Sequence, residues 1–570
     1  MTALPIATRE LRVAARKRAT YWVRTSAALI AFLIGVGAMA LSLLSGGGTV
    51  GIGHGLFGLL TGLSLAAALA AGLFLTADCL SEEKREGTLG LLFLTDLRGH
   101  DVVFGKLMAT SLRSVHGLLA LFPILAITLL MGGVTGAQFW KTTLALANTL
   151  FFSLALGMMV SAASRDSQRA MAGVLCLIVL VLAGTPLADS ALGEAMKKPS
   201  LVLFQLLSPA YAFGAASSWG RSSFWLGLAS SHGLAWGFLG VASLLAPWTW
   251  QQKAAVTRTS MGARAYAWKF GGARRRARVR RELMSLDPVL WLVCRERGQS
   301  WALWTLAALV WGAFAVSLAL RIPAEDWAAW SVIGPVVAFV LYLAAASQGS
   351  RFFVEARRSG LMELVMATPL TPAEIIKGQW RAFLRLFALP LGLLAAAQAG
   401  AALLSNRVAG GSMGPLLGGH PDFLWVVVSA GLGVVTTLMN FAALGWVGMW
   451  MGMGSKNNGM ATLKTLLIVE VVPAIVFSFL TGFIMVLVMM PRMGGRFTSG
   501  SWNGLWAVLM QVGLSTALAV GKDLLLIFLA RQRLHTGFRV WAMRTALVGS
   551  SLRAGAPPPV IPPPVIPSAS

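Results

Sequence analysis

Apolar runs of around 20 residues, divided by shorter polar stretches, recur along the 570-residue chain. A helix needs about 20 such residues to cross the ~30 Å hydrocarbon core of a bilayer. The pattern therefore predicts membrane spans. They fall at about 22–44, 55–78, 113–132, 140–162, 170–188, 225–248, 302–320, 328–348, 383–404, 424–452, 463–490 and 503–530. The expected fold is all-α: a polytopic membrane protein of about 12 transmembrane helices in a 6+6 tandem repeat. The expected domains are a first half over 1–250, a basic cytoplasmic linker over 251–300, a second half over 301–550 and a Pro-rich tail over 551–570. Proline removes helical hydrogen bonds and favours an extended form, so the tail is expected to be disordered. The first run is longer than a usual signal-peptide core and reads as an uncleaved first helix.

Composition sharpens this picture. Hydrophobic residues make up 56% of the chain and charged residues 12%, against about 25% charged in soluble domains. The net charge of +26 would fit nucleic acid, but its distribution points elsewhere. With the N-terminus inside, the inner segments hold 39 of the 47 Lys and Arg and the outer segments 8. That asymmetry places both termini in the cytoplasm. The linker run Arg274-Arg275-Arg276, Arg278, Arg280 and Arg281 reads as a solvated stretch on anionic lipid, each basic side chain contributing about 1 kcal/mol near the surface, or as a docking surface for a partner. Cys79, Cys176 and Cys294 form neither a disulfide framework nor a metal set.

The most informative pattern is a repeat. The loop after the second span reads SEEKREGTLGLLFLTDLRGHDVVFGKL, and that after the eighth reads VEARRSGLMELVMATPLTPAEIIKGQW. A shift of 273 aligns Glu82 with Glu355, Arg85 with Arg358, Gly87 with Gly360, Leu91 with Leu364, Thr95 with Thr368, Leu97 with Leu370 and Gly105 with Gly378. Val102 and Val103 fall on Ile375 and Ile376. The coincidence of sequence and topological position indicates an internal duplication. Each copy reads as a charged extension of a span, then an apolar run too short to cross, then a break. In the second copy Thr371, Pro372 and Glu374 have the order of an N-cap, a first helical residue and a capping-box acid. The predicted hairpin serves either as an amphipathic anchor or as a rigid knob for a cytoplasmic partner.

These loops resemble the segment after the second span in type-2 ATP-binding-cassette permeases, whose pattern is roughly E-R-E-x-G-T-L-E-L-L-L-x-T-P-L followed by a helix ending in G-K. The first copy supplies Arg85-Glu86-Gly87-Thr88-Leu89, Thr95, Leu97 and Gly105-Lys106. The second supplies Arg358, Gly360, Met362-Glu363-Leu364, Thr368-Pro369-Leu370 and Gly378. Arg9-Glu10-Leu11-Arg12 resembles that family's interfacial helix, with Arg295-Glu296-Arg297 as a weaker counterpart. The copies depart from the pattern at Gly90, Asp96, Ser359 and Leu361.

The resemblance implies an exporter permease of the bacterial inner membrane, two half-permeases in one chain, coupled to two copies of a separate cytoplasmic ATPase. The implied coupling residues are Glu82, Arg85, Glu86, Gly87, Thr95, Asp96 and Gly105 in the first loop. In the second they are Glu355, Arg358, Gly360, Glu363, Thr368, Pro369, Glu374 and Gly378. Gly105-Lys106-Leu107 and Gly521-Lys522-Asp523 lack the upstream glycine and hydroxyl residue of a phosphate loop. ATP and Mg would therefore sit on the partner, and this chain would carry no cofactor and no catalytic site. A secondary transporter and a non-transporting membrane scaffold are the alternatives. An enzyme is disfavoured, because Glu82, Glu83, Glu86, Asp96 and Asp101 alternate with Lys84 and Arg85 as on a solvated face, with no convergent His or Cys set.

Within the spans, Glu470 reads either as part of a translocation path or as a hydrogen-bonded group supporting the helix break at Pro473. Lys522 is expected to snorkel to the head groups. Asn148, Gln398 and Asn440 are expected to join helices. His54 and His232 show no partner pattern in the sequence.

Overall fold

The computed structural model describes residues 49–94, 97–186, 202–217, 223–249, 272–294, 328–409, 423–455, 457–474 and 502–553, with isolated residues elsewhere. Among the described residues every regular element is helical, and six helices are long and apolar enough to cross a membrane: Gly53–Glu86, Gly99–Leu129, Gly136–Ala163, Phe224–Thr249, Ala430–Gly454 and Val512–Arg539. The protein is an all-α polytopic membrane protein. The predicted spans at 22–44 and 302–320 lie outside the described residues, apart from Thr25 and Leu29.

The chain divides into two compact units, Met1–Arg258 with Val472–Ser515, and Thr259–Val471 with Thr516–Ser570. In the first, α1 (Thr49–Ala71) passes through a π-turn at Gly72–Thr76 into α2 (Cys79–Glu86). There follow α3 (Thr88–Phe93), α4 (Gly99–Leu130), α5 (Gly136–Ala163), α6 (Ser167–Val179), α7 (Pro209–Ser217) and α8 (Phe224–Thr249). Helix α5 lies among α1, α4, α7 and α8. It starts on Thr135, whose Oγ1 accepts from Gln138 N at 3.2 Å. Helix α6 starts on Asp166, which caps Gln168 N at 2.9 Å.

Lipid tails are as apolar as leucine, so helices in a membrane associate chiefly through close packing of small residues. The α1–α5 contact does this. A Cβ on Gly72 would fall 2.0 Å from the Ser153 carbonyl oxygen, and one on Gly157 would fall 2.0 Å from Thr76 Oγ1. Thr76 Oγ1 is within bonding reach of the carbonyls of Gly72 (3.0 Å) and Leu154 (3.1 Å). Past the π-turn, Ser161 Oγ accepts from Leu80 N (2.9 Å) and Ser81 N (3.1 Å). Leucine at 157 must displace backbone as well as the Thr76 side chain. Overpacking usually costs about 1–3 kcal/mol, so Gly157→Leu should lose the folded peak in fluorescence-detected size exclusion. Gly62→Leu, where a Cβ meets nothing within 4 Å, should keep it.

The stretch after the fifth predicted span folds back. Asp189 accepts backbone N–H groups from Leu203 (3.1 Å), Phe204 (2.8 Å) and Gln205 (2.8 Å). Helix α7 then packs Ala215 and Ala216 against Ala145 of α5 and Phe224. Ala145 lies about 13 Å along α5 from its start at 1.5 Å per residue, so α7 packs well inside the length of α5.

The second unit holds α9 (Ala273–Met284), α10 (Pro288–Cys294), α11 (Ala328–Arg358), α12 (Leu361–Met366) and α13 (Pro372–Ala409). It continues with α14 (Phe423–Gly454), α15 (Asn458–Leu466) with a π-turn at Leu467–Val471, and most of α16 (Trp502–Arg553). The α11–α14 contact again runs through glycine. A Cβ on Gly349 would lie 3.0 Å from the Gly445 carbonyl, one on Gly448 3.2 Å from that of Ala346, and one on Gly452 2.6 Å from that of Ser350. Gly349 stands 273 residues after Thr76, so the close approach recurs in register with the loop repeat.

Part of the predicted linker is built structure. Leu283, Val289 and Leu290 are buried, and Leu283 and Leu290 pack with Ala382 of α13. Arg274, Arg275, Arg278, Arg280 and Arg281 are exposed, and Arg276 is half-buried.

Candidate functional site

The two loops fold alike. Gly87 ends α2 with φ +74° and Gly360 ends α11 with φ +73°. A left-handed residue at a helix end is the standard place for glycine, since a Cβ there is strained. The turn redirects the chain into α3 and α12, six residues each. Each short helix buries one apolar residue, Leu89 or Met362. Each also presents a leucine outward at the aligned position: Leu91 is 64% exposed and Leu364 is 68% exposed. Leu94 is exposed beside Leu91, and Glu363 is exposed beside Leu364. Val102 and Val103, like Ile375 and Ile376, are fully buried and seat the returning helices.

The return in the second loop starts on the predicted capping box. Thr371 N donates to Glu374 Oε2 at 2.8 Å, and Glu374 N donates to Thr371 Oγ1 at 3.3 Å. The hydrogen bonds that the Thr371 backbone and hydroxyl give the Glu374 carboxyl hold it below its usual range. A depressed carboxylate contributes its stability above the ordinary glutamate value of about 4.3 and loses it as pH falls through the depressed value. Protection of the Thr371 amide, relative to its unstructured exchange rate at the same pH, should therefore fall only as the pH drops through that depressed value, whereas Glu374→Ala should lower it at neutral pH. The first loop has half of this device: Asp101, aligned with Glu374, accepts from Arg98 N at 3.0 Å.

The basic residues are tied to neighbouring elements, although Arg85 and Arg358 stay exposed. Arg85 Nη1 lies 2.9 Å from Asp78 Oδ1 and donates to the Arg165 carbonyl at 3.2 Å. Arg358 Nη2 donates to Asn457 Oδ1 at 2.7 Å. Their neighbours Lys84 and Arg357, also aligned at a shift of 273, reach the carbonyls at the ends of α5 and α14. Lys84 Nζ donates to Ala162 O, and Arg357 Nη2 donates to Gly452 O at 3.1 Å and to Ser455 O. Cations at a helix C-terminus are favoured by its dipole. Each loop is thus clamped to the end of a long helix of its own unit, α5 or α14. The sequence reading missed Lys84 and Arg357, though both are basic at one shift.

Of the other predicted residues, Glu82 is half-buried in the first turn of α2, Glu86 is exposed and Gly105 is buried. Glu355 pairs with Arg351 at 2.7 Å. Thr368 and Pro369 are exposed in the turn before α13. Thr95 and Asp96 lie outside the described residues. Gly378 is buried against the linker: a Cβ there would lie 2.7 Å from both Asp287 Oδ1 and Val289 Cβ. Asp287 caps α10 through Val289 N (2.9 Å) and lies 3.5 Å from Arg381 Nη1. The loops also differ. Glu83 pairs with Lys106 at 2.8 Å in the first, where the second has buried Ala356 and Gln379.

Glu470 lies in the π-turn after α15 and accepts a hydrogen bond from Asn440 Nδ2. Lys522 is tied to neighbouring helices. Its Nζ donates to Val469 O at 2.9 Å and Asn440 Oδ1 at 3.3 Å, and lies 2.9 Å from Asp523 Oδ1. In the first unit Asn148 joins helices through a network without carboxylates. It donates to Ser231 Oγ at 2.8 Å and faces His232 Nδ1 at 3.0 Å, while Trp236 Nε1 donates to His232 Nε2 at 3.0 Å.

Among the described residues no group of His, Cys, Asp and Glu is arranged to hold a metal ion. No curated protein matches the chain. Residues 4–224, which include the first of the two loops, match the family model described as ABC-2 family transporter protein.

Proposed function

We propose that this chain is the membrane-spanning permease of an ATP-driven exporter, with α3 and α12 docking onto separate cytoplasmic ATPase subunits. The observation that carries this reading is the pair of aligned, outward-facing leucines. Leu91 and Leu364 stand on short helices whose backs are packed and whose ends are fixed by left-handed glycines and basic clamps. A six-residue helix with a buried back and an apolar tip suits insertion into a groove. The match of residues 4–224 to a transporter family supports the same reading.

The two loops make two docking points, hence two ATPase copies, and ATP with Mg resides on those subunits. The recurring glycine contact and loop geometry support two half-permeases, 1–250 and 301–550, joined by the basic segment 251–300. The charge asymmetry favours the loops and both termini lying in the cytoplasm of a bacterial inner membrane, with the arginines of α9 against anionic lipid. Glu470 is the acid assigned to the translocation path.

The test is co-purification from native membranes. A cassette ATPase should accompany the tagged chain and be lost when 87–97 and 360–370 are scrambled in a protein that still runs as a folded peak. A folded wild-type chain that brings down no ATPase, under conditions that retain known complexes, would overturn the assignment.

A further inference from the structure

The polar cluster of the second unit lies deep in the membrane. At 1.5 Å per residue, Asn440 is about 21 Å along α14 from Gly454, and Glu470 is about 18 Å along α15 from Asn458. Both measure from the loop that joins these two helices. Lys522 is about 14 Å along α16 from Arg531, whose guanidinium stands 5.8 Å over the Trp446 ring. Trp446 itself is about 12 Å from Gly454. Three helices thus agree on a depth well inside a ~30 Å core.

The titratable and charged groups there are Glu470 from the turn after α15, Lys522 and Asp523 from α16, and Tyr342 from α11. Asn440 and Thr437 from α14 complete the wall. Asp523 is 1% exposed. The π-turn at 467–471 breaks the regular helical pairing and leaves the Val469 carbonyl to Lys522; such turns are frequent at functional sites. Lys522 pairs with Asp523 and shares the Asn440 amide with Glu470, so two carboxylates stand with one ammonium and the formal charge with all three ionised is −1. Neither Asn440, Thr437 nor Tyr342 supplies the missing positive charge. At a like distance from the end of its own helix, the first unit has the Asn148–His232–Trp236 chain, which holds no carboxylate, so a pair of acids is not a requirement of helix packing.

We infer that the Glu470–Asn440–Lys522–Asp523 cluster binds one small monovalent cation, a proton or an alkali ion, midway across the second half. Lys522 pairs with Asp523 and Asn440 links it to Glu470, and the cation neutralises the remaining charge at Glu470 or Asp523. The inference deepens the placement of Glu470 in the translocation path by naming what it takes, and it requires the membrane reading alone, with no ATPase partner.

Infrared difference spectroscopy on the purified chain in nanodiscs tests it. If the cation is a proton, the wild type shows the carbonyl stretch of a protonated carboxyl near neutral pH, and Glu470→Gln or Asp523→Asn removes or shifts it. If it is an alkali ion, exchanging choline for sodium or potassium shifts the carboxylate bands of the wild type, and Glu470→Gln abolishes that shift. Should Asp523→Asn fail to fold, the Glu470→Gln sample and the wild-type ion exchange still decide. A wild-type protein with neither a protonated-carboxyl band nor an ion-induced shift overturns the inference. That result leaves ATPase co-purification untouched, so the two proposals fail separately.

Discussion

Glutamate at both Leu91 and Leu364 is expected to abolish binding of the ATPase partner while the permease still folds. Each leucine is mostly exposed on a helix whose opposite side is buried, so the substitution removes no internal packing. In a groove, each side chain would be a central apolar anchor, and such anchors typically contribute about 2 kcal/mol or more. That is about 30-fold in affinity per site, before the added cost of burying a carboxylate. The single variants should differ. Next to Leu91 stands a second exposed leucine, Leu94, whereas next to Leu364 stands Glu363. Leu94 should therefore retain part of the contact when Leu91 is lost. Leu286, 67% exposed between α9 and α10, is the matched control, and Leu286→Glu should leave binding within about twofold, as for a surface change away from the anchors. Titrated pull-down of the partner against each folded variant reads these differences. Unchanged binding by the double variant would remove the loops from the coupling scheme.

Lys522→Met should be among the most destabilising single changes in the chain. Methionine keeps much of the length of the side chain but removes the cation that pairs with Asp523 and, through Asn440, adjoins Glu470, taking the formal charge of the cluster from −1 to −2. Removing one partner of a buried ion pair typically costs about 3–5 kcal/mol, because the other charge is left uncompensated. The Val469 carbonyl also loses its donor at 2.9 Å. The double variant Lys522→Met with Asp523→Asn returns the formal charge to −1 and should recover a large part of the loss. Thermal unfolding in detergent measures both. If Lys522→Met melts with the wild type, the cluster is not held by charge.

Much of this is legible in the sequence, and the reasons are specific. Helical spans announce themselves through apolar length, and the capping box through the order Thr371, Pro372, Glu374. The loop repeat is readable because glycine at Gly87 and Gly360 is demanded by a backbone angle, which leaves a mark independent of packing. What stays hidden are partners set by tertiary contact. Lys84 and Arg357 look like solvated charges in a polar stretch, and only the nearby ends of α5 and α14 show that they are clamps. Lys522 looks like a snorkelling residue because hydropathy does not reveal that α14 and α15 bring Asn440 and Val469 to it. Helices α4 and α13 begin well before the predicted span edges at 113 and 383, since apolar content ends where a helix leaves the membrane and hydrogen bonding does not. The linker reads as solvated because its arginines outnumber the three buried residues, Leu283, Val289 and Leu290, that seat it.

The carbonyl-to-glycine contacts between α1 and α5, and between α11 and α14, have a mechanical meaning. Backbones that touch at Gly72 and Gly157, or at Gly349 and Gly448, have no compressible side chains between them through which one helix could slide past the other. Lys84 and Arg357 rivet the loop to the far ends of the same pairs. A push on α3 or α12 is therefore delivered to two spans at once, as to the handle of a fork whose tines cannot spread, and a short stroke at the tip becomes a tilt of the whole pair.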